Sequence, residues 1–475
     1  MSGISSQLMN PKYAWREVAR QGLPKRSAAQ RAADFLEIYG LYDETTAREQ
    51  ASRCIVCPNP SCVTGCPLCN PVPEWMQLTA EGRFLEAAAL LGSVTNMAEI
   101  CARLCPSDHL CEGACLLDSV SEPVSIRALE QFLIEYAFAH GKTDIATAPP
   151  NGHKVAVIGS GPGGLACAEE LARKGYSITV LDSELVPGGL LVNGVPAFKV
   201  DQSIVQRRID LLRKCGVTFS LGLKLWEDLS LNKISSEFDA VFLCLDWRRA
   251  RALQVPGVEF EGFVQAIPFL LQKKTPLQLQ MPRFDVSGKR VVVLGGGDTA
   301  MDCVRAAIRY GARETVCAYR REESEMRCGH QEFQSALEEG AQFLFRVAPV
   351  AILGDGSSQV TGVRLTRTEP GPLEAPGKQS LRFRPGSEFV VETDWVIAAL
   401  GFESRALPPG NDLTRLARND WGGVMVDGNQ MTSLPGVFAG GDLVRGPCSL
   451  LHAVRDARRA ADQIHTYLSA ERGVH

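Results

Sequence analysis

The stretch KVAVIGSGPGGLACAEELARKGYSITVLD, Lys154 to Asp182, decides the fold. The chain runs apolar from Lys154 to Gly159, turns through Gly159-x-Gly161-x-x-Gly164 into a helical stretch (LACAEELARKG), and resumes as a second strand, Ser177 to Leu181, ending in Asp182. A G-x-G-x-x-G alone is weak. Framed by strand, helix and strand, with an acid about 20 residues on, it seats a pyrophosphate on a helix N-terminus and a ribose on the acid. The glycines are required because a side chain would hold the phosphates off the backbone N–H groups. Gly159, Gly161, Gly164 and Asp182 are therefore the first set of expected cofactor contacts.

The pattern returns downstream. Arg290 to Leu294 (RVVVL) leads into Gly295-x-Gly297-x-x-Ala300, a helix through Tyr310, and a strand from Glu314 to Tyr319. This second unit ends in Arg320-Arg321 where the first ends in Asp182. An acid there pairs with a ribose 2′-hydroxyl, whereas arginine suits a 2′-phosphate. The first unit is thus expected to hold an adenosine without a 2′-phosphate, and the second NADP(H); a merely solvated, charged strand end is the alternative for the two arginines. Two dinucleotide folds in one chain suggest a bound flavin facing a diffusible nicotinamide. Near the C-terminus, Val437 to Ala439 runs into Gly440-Gly441-Asp442, with a helical stretch from Ser449 to Leu468. A strand ending in Gly-Asp can set its carboxylate on a flavin ribityl hydroxyl.

Upstream of both units lie the cysteines. Nine of the chain's sixteen fall between Cys54 and Cys115: Cys54-x2-Cys57-x4-Cys62-x3-Cys66-Pro67, then Cys69, then Cys101 ahead of Cys105-x5-Cys111-x3-Cys115. Disulfides need an oxidising compartment, and the opening MSGISSQLMNPKYAWREVARQ has no apolar segment behind a basic start, so a cytoplasmic, reducing setting is expected. Zinc sites usually join two C-x2-C pairs. The run here is closer to the ferredoxin pattern that ends in Cys-Pro and shares ligands between clusters. Iron–sulfur is the favoured reading, with zinc or structural thiols behind it, and eight thiolates would make two cubanes on spacing alone.

Length and composition bound the rest. A chain of 475 residues has room for about three domains of ~150 residues. A net charge of -4 gives no basic surplus for nucleic acid, and no run of ~18 apolar residues offers a membrane span. Residues 1–53 read as a polar leader or docking arm with a helical patch from Ala28 to Tyr39. Glu74 to Leu91 and Ile126 to Phe138 carry apolar residues at helical spacing, and Thr143 to His153 is a Pro/Gly-rich linker. The expected organisation is α/β: a helical iron–sulfur domain (1–148) followed by two Rossmann-like domains, one for FAD (149–285 and 400–475) and one for NADPH (286–399).

The motifs Cys111-Glu-Gly-Ala-Cys115, Gly188-Gly189-Leu190-Leu191, Val195-Pro-Ala-Phe-Lys199, Gly295-Gly-Gly-Asp-Thr-Ala-Met-Asp-Cys303, Ala318-Tyr-Arg-Arg321 and Ala439-Gly-Gly-Asp442 resemble those of the small (beta) subunit of bacterial NADPH-dependent glutamate synthase. The wider group includes the N-terminal half of dihydropyrimidine dehydrogenase and the large subunit of NADH-dependent NADP:ferredoxin oxidoreductase. The likeness runs from about Phe35 to Leu468. It implies a three-layer FAD/NAD(P) reductase fold, two [4Fe-4S] clusters, one FAD and an NADPH site. Carried over residue by residue, it implies one cluster on Cys54, Cys57, Cys62 and Cys115, and another on Cys66, Cys105, Cys111 and Glu130, with Cys69 and Cys101 as non-ligands. It also implies that Gly189, Leu190, Asp298, Thr299, Ala300, Gly441 and Asp442 join the cofactor contacts.

By that resemblance the chain is an electron-input oxidoreductase: hydride from NADPH to flavin, single electrons to the clusters, then out to a glutamate synthase large (alpha) subunit. No catalytic triad or general base is expected. After Met1 comes Ser2 rather than an amidotransferase cysteine, so the partner is expected to make glutamate from glutamine and 2-oxoglutarate. A diaphorase or reductase subunit serving ferredoxin or a pyrimidine reductase, and an assembly subunit without flavin chemistry, are the other readings. Three departures from the family pattern bear on this choice. Cys244-Leu-Asp-Trp-Arg-Arg249 replaces a glycine-containing turn, Asp456-Ala457-Arg458 replaces Glu-Gly-Arg, and Met326-Arg327 replaces Met-Pro.

Overall fold

A computed structural model describes residues 13–225, 227–246, 248–272, 284–375, 378–404 and 412–471. Met1, Ser2 and Trp247 lie outside them. The run from Lys154 to Asp182 forms a strand (Lys154–Ile158), a helix (Pro162–Arg173) and a strand (Ser177–Asp182). The two strands pair in parallel from Lys154↔Ser177 to Ile158↔Leu181. A βαβ crossover covers both faces of its sheet, so these strands are apolar almost throughout rather than alternating, and Val155, Ala156 and Val157 are wholly buried. The five-stranded sheet adds Thr218–Leu221 on one side and Ala240–Leu243 and Val437–Ala439 on the other, all parallel. The C-terminal helix Leu450–Glu471 packs against Pro162–Arg173 and buries Val454, Ala457, Ala461 and Ile464 in the core beneath the sheet.

The second sheet repeats the first: Phe263–Gln265, Trp395–Ala398, Arg290–Leu294, Glu314–Tyr319 and Gln342–Phe345, again parallel. Phe263–Gln265 precedes residue 286, where the coenzyme domain is expected to begin, yet it pairs with Trp395–Ala398 and so belongs to the second sheet. A three-residue edge strand carries too little pattern to announce itself. The chain crosses between the two sheets through the antiparallel pair Arg248–Ala250 and Phe402–Ser404. An antiparallel sheet of Val347–Gly354, Val360–Ala375, Lys378–Phe383 and Phe389–Glu392 is inserted between Gln342–Phe345 and Trp395–Ala398.

The N-terminal region is helical. The stretch from Glu74 to Leu91 is two helices, Val72–Ala80 and Phe84–Val94, broken at Gly82. Ala98–Leu104 and Ile126–Ala139 complete a core around buried Trp75, Met76, Leu91, Leu129 and Leu133. The helical patch expected from Ala28 to Tyr39 stops at Ala33. Asp34 turns back to a bidentate ion pair with Arg26, and Tyr39 forms a bridge with Lys25. Among the described residues no single helix is long and apolar enough to cross a membrane.

Candidate functional site

At the first glycine turn the three glycines answer three different needs. Gly159 holds φ at +103°, and a Cβ there would stand 2.3 Å from the Cys244 carbonyl oxygen. A Cβ on Gly164 would stand 1.8 Å from the Gly159 carbonyl, so the helix touches the turn only because Gly164 lacks a side chain. Gly161 has nothing within 4 Å and opens on a cleft. This is the division of labour a bound pyrophosphate requires. The cleft, about 530 Å³, is lined by Gly159, Gly161, Asp182, Gly189, Leu190 and Asp442 among others.

Asp182 is placed as expected but is already engaged. Its Oδ2 accepts from the Ser160 backbone N–H and hydroxyl, both at 2.6 Å, and Oδ1 accepts from the Glu184 N–H at 2.8 Å. An ionised carboxylate has about four acceptor positions, so one remains for a ribose. Sequence reading missed Glu184, which lines the same cleft; burial and then the Asp182 charge push its carboxyl up. At the other wall Asp442 accepts from the Cys448 N–H at 2.9 Å. Asp456 ties Gly441 and Arg445 in place behind it, taking Arg445 in bidentate bonds of 2.6 and 2.7 Å.

The second turn repeats the cradle. Gly295 has φ +150° and a Cβ there would meet the Ala399 carbonyl at 2.3 Å, while Gly297 is open. The helix Asp298–Arg309 starts from it, with Ala300 buried against the turn and Asp298 accepting from the Gly329 N–H at 3.2 Å. Arg320 is exposed at the strand end. Arg321 is partly committed elsewhere, to Glu325 at 2.7 Å and to the Gln379 carbonyl.

The cysteines separate into two groups. Cys54, Cys57, Cys62 and Cys115 line one cavity with Val72, Leu117 and Ile126. Burial, then the neighbouring thiols, push Cys62 up to about 12; burial is also the chief cause at Cys54, which rises to about 11. Cys66, Cys105 and Cys111 gather around Glu130, and all three thiols are pushed up by burial first, with Glu130 adding to each. Glu130 itself rises to about 8, from burial and then the Glu112 charge, against the opposing Asn70 hydrogen bond and Arg127. Asn70 donates to Glu130 at 2.5 Å and accepts from Trp75 Nε1 at 2.9 Å, which fixes the carboxylate's direction from behind as supports of metal ligands do. Among the described residues no three His, Cys, Asp or Glu side chains close to single-ion distance, the geometry zinc would need. Cys101 is buried beside the second group, whereas Cys69 is exposed with φ +52°.

The cleft and the second cysteine group share a wall. Leu104, the last residue of the helix Ala98–Leu104, lines the dinucleotide cleft. Leu104 and Cys105 both line an adjoining polar cavity with Arg127, Lys199, Asp298 and Glu332. Lys199, buried, reaches Asp302 at 3.1 Å and Glu332 at 3.6 Å. Nothing in the residue pattern marks this junction beyond the Val195–Lys199 motif.

Residues 31–142 match the family described as dihydropyrimidine dehydrogenase domain II, 4Fe-4S cluster, and residues 153–457 match pyridine nucleotide-disulphide oxidoreductase. The glutamate synthase [NADPH] small chain of Azospirillum brasilense is 41% identical over 456 residues, covering 94% of each chain. This chain belongs to the glutamate synthase small-chain family. The small chain of Escherichia coli K12 is 38% identical, covering 96% of this chain and 98% of its own. FprA from Mycobacterium tuberculosis in complex with NADPH superposes with a TM-score of 0.57 at 19% identity, over 69% of this chain and 86% of its own, a likeness of fold. As a glutamate synthase small-chain relative the protein is an NADPH-dependent flavin and iron–sulfur oxidoreductase, and the open glycine cradles and grouped thiols fit those cofactors.

Two of the departures are visible in the small-chain fold. Cys244 sets its Sγ where a Cβ on Gly163 would come within 2.4 Å, so it narrows the back of the cleft. Arg458 leaves the last helix to bond the Ser93 carbonyl and Glu170, with the neighbouring Ala457 buried.

Proposed function

We propose that this chain is the electron-input subunit of a glutamate synthase, delivering electrons from NADPH to a large subunit that makes glutamate from glutamine and 2-oxoglutarate. When bound, FAD would supply the exchange of a two-electron hydride from NADPH for the single electrons that iron–sulfur clusters carry. The chain's own residues bind and aim these groups. Gly161 and Gly297 open the two pyrophosphate seats, Asp182 takes the flavin-side ribose, and Asp442 holds the flavin chain from the opposite wall. Arg320, with whatever Arg321 keeps free, receives the 2′-phosphate of the coenzyme.

The observation that carries the reading is the shared wall at Leu104 and Cys105, which joins the flavin cleft to the ligand set Cys66, Cys105, Cys111 and Glu130. A second cluster on Cys54, Cys57, Cys62 and Cys115 then stands further out. Val56, Leu116 and Val120, next to those cysteines in the chain, are 46%, 50% and 67% exposed, which favours that end as the exit.

The test is co-expression with a large subunit. NADPH oxidation that requires both glutamine and 2-oxoglutarate, with glutamate formed in proportion, is the expected result. Reduction of a dye by NADPH without any such coupling would assign the chain to another acceptor, and failure of NADPH to bleach the flavin would overturn the electron-input role altogether.

A further inference from the structure

Three cations line the polar cavity beside Cys105: Arg103, Arg127 and Lys199. Two of them are matched. Arg103 pairs with Glu37 at 2.7 Å and Glu135 at 3.0 Å, and Lys199 pairs with Asp302 at 3.1 Å. Arg127 is different. Among the described residues its guanidinium forms no ion pair, and its bonds all go to neutral acceptors: Nε donates to the Ala102 carbonyl at 2.9 Å, Nη2 to the Arg103 carbonyl at 3.0 Å, and Nη1 to Gln331 at 3.2 Å. Ala102 and Arg103 belong to the last turn of the helix Ala98–Leu104, where carbonyls lack helical partners and the dipole is negative, so an arginine is held there without a carboxylate. Cys105 follows directly on that turn.

The same side chain bears on the other ligands of the group. Arg127 lies on the helix Ile126–Ala139 three residues before Glu130, hence on the same face. Its charge opposes the burial that pushes Cys105 and Glu130 up. The carboxylates around it are directed elsewhere: Glu112 to Arg20 at 2.7 Å, Glu332 to Arg305 at 2.7 Å, and Asp108 and Asp298 to the backbone N–H groups of His330 and Gly329. No arginine or lysine lines the cavity of the Cys54 group. The two thiol groups therefore differ by one desolvated, unpaired cation.

We propose that Arg127 is a redox-tuning residue, whose charge raises the potential of a cluster held by Cys66, Cys105, Cys111 and Glu130 and so favours electron entry from the adjoining cleft. This rests on that group holding a cluster. Reduction adds one negative charge to a site already built from thiolates and a carboxylate, and a nearby cation stabilises the reduced form.

The test is redox titration of the holoprotein followed by EPR, in wild type, Arg127→Gln and Arg127→Lys, with Glu130→Ala identifying which signal belongs to this group. Glutamine keeps a donor for the helix-end carbonyls and drops the charge, whereas lysine keeps the charge and gives up the planar fork. At an effective dielectric of about 20, a unit charge about 10 Å from the added electron changes the ratio of reduced to oxidised cluster roughly tenfold. In Arg127→Gln that ratio, at a fixed potential, is expected to fall by this factor, a midpoint lower by ~59 mV for one electron. The signal of the Cys54 group is expected to stay where it is, and Arg127→Lys to recover most of the shift. An unmoved midpoint in Arg127→Gln, an equal shift of both signals, or the same loss of iron in the glutamine and lysine variants overturns the tuning role while leaving the cluster standing. A wild type with a single cluster refutes the cluster on this group, and this assignment with it.

Discussion

Arg208 on the helix Gln202–Lys214 reaches Glu99 of the iron–sulfur region in two bonds of 2.6 and 2.7 Å, and Glu169 beneath the first sheet at 2.6 Å. The three side chains are 7%, 0% and 1% exposed. Replacing Arg208 with leucine strands the Glu99 carboxylate, for which no other ion pair exists among the described residues, and leaves Glu169 only Arg173 at 2.8 Å. Breaking a buried pair by removing one partner costs about 3–5 kcal/mol, because the remaining charge stays desolvated. At about 2–4 °C per kcal/mol for a region of 150–250 residues, the melting temperature of the iron–sulfur and FAD regions is expected to fall roughly 6–20 °C. Calorimetry of the holoprotein at fixed cofactor loading measures it. Replacing Glu99 with leucine in the same chain removes the stranded charge and is expected to restore much of the loss. A fall of under about 1 °C, or a double variant no better than the single one, refutes the claim that the triad is desolvated and mutually dependent. Function supplies a second reading: NADPH is expected still to bleach the flavin in Arg208→Leu, with reduction of the adjoining cluster slowed, since Glu99 and Leu104 belong to one helix.

Three further outcomes follow from the sites. Purified anaerobically, the chain is expected to carry about eight iron and eight sulfide per FAD, the content of two cubanes; zinc without sulfide would overturn the cluster reading. Glu130→Ala is expected to lose or convert one cluster while the Cys54 group keeps its own, seen as the loss of one of two EPR signals, and an unchanged spectrum and iron count would reject Glu130 as a ligand. Asp302, raised to about 6 by burial against the opposing Lys199, stabilises the fold in its protonated form below its unfolded value, and that contribution fades as pH rises through 6. Asp302→Asn is therefore expected to gain melting temperature relative to wild type between pH 5 and 7.5, and a difference that is flat with pH would refute the shift.

What the sequence made legible is what chemistry imposes on residue type at short range. The cradles at Gly159 and Gly295 were readable because a backbone that must approach a phosphate, or a carbonyl at 2.3 Å, admits no Cβ. The thiol groups were readable because clustered cysteines at ferredoxin-like spacing have few uses, although the assignment of Glu130 came only through family resemblance. Long-range pairing left no mark. Glu99 and Arg208 lie 109 residues apart, and each alone looks like an ordinary solvated charge on a helix. The tie of Arg321 to the Gln379 carbonyl was likewise hidden, because it comes from a separate antiparallel sheet. The helix from Ala28 was overextended because an ion pair, Arg26 with Asp34, overrides an apolar period that would otherwise continue.

The helix Ala98–Leu104 shows why those invisible pairings matter to electron flow. Its seven residues carry Glu99 in the Arg208 clamp, Cys101 packed beside the second thiol group, Leu104 in the wall of the cleft at the first glycine turn, and, at the helix end, Cys105 as an expected cluster ligand. Five residues of helical rise separate Glu99 from Leu104, about 8 Å, so a shift at the clamp reaches the flavin wall through a rigid rod with little chance to be absorbed. The apolar core offers no comparable constraint along this direction, because hydrophobic burial is non-directional and tolerates sliding. Directional bonds from Arg208 fix the register of the helix against the first sheet, and with it the separation between the cleft at the first glycine turn and Cys105. The buried triad thus contributes position more than net stability, since an apolar replacement of all three residues could match its energy but not its geometry.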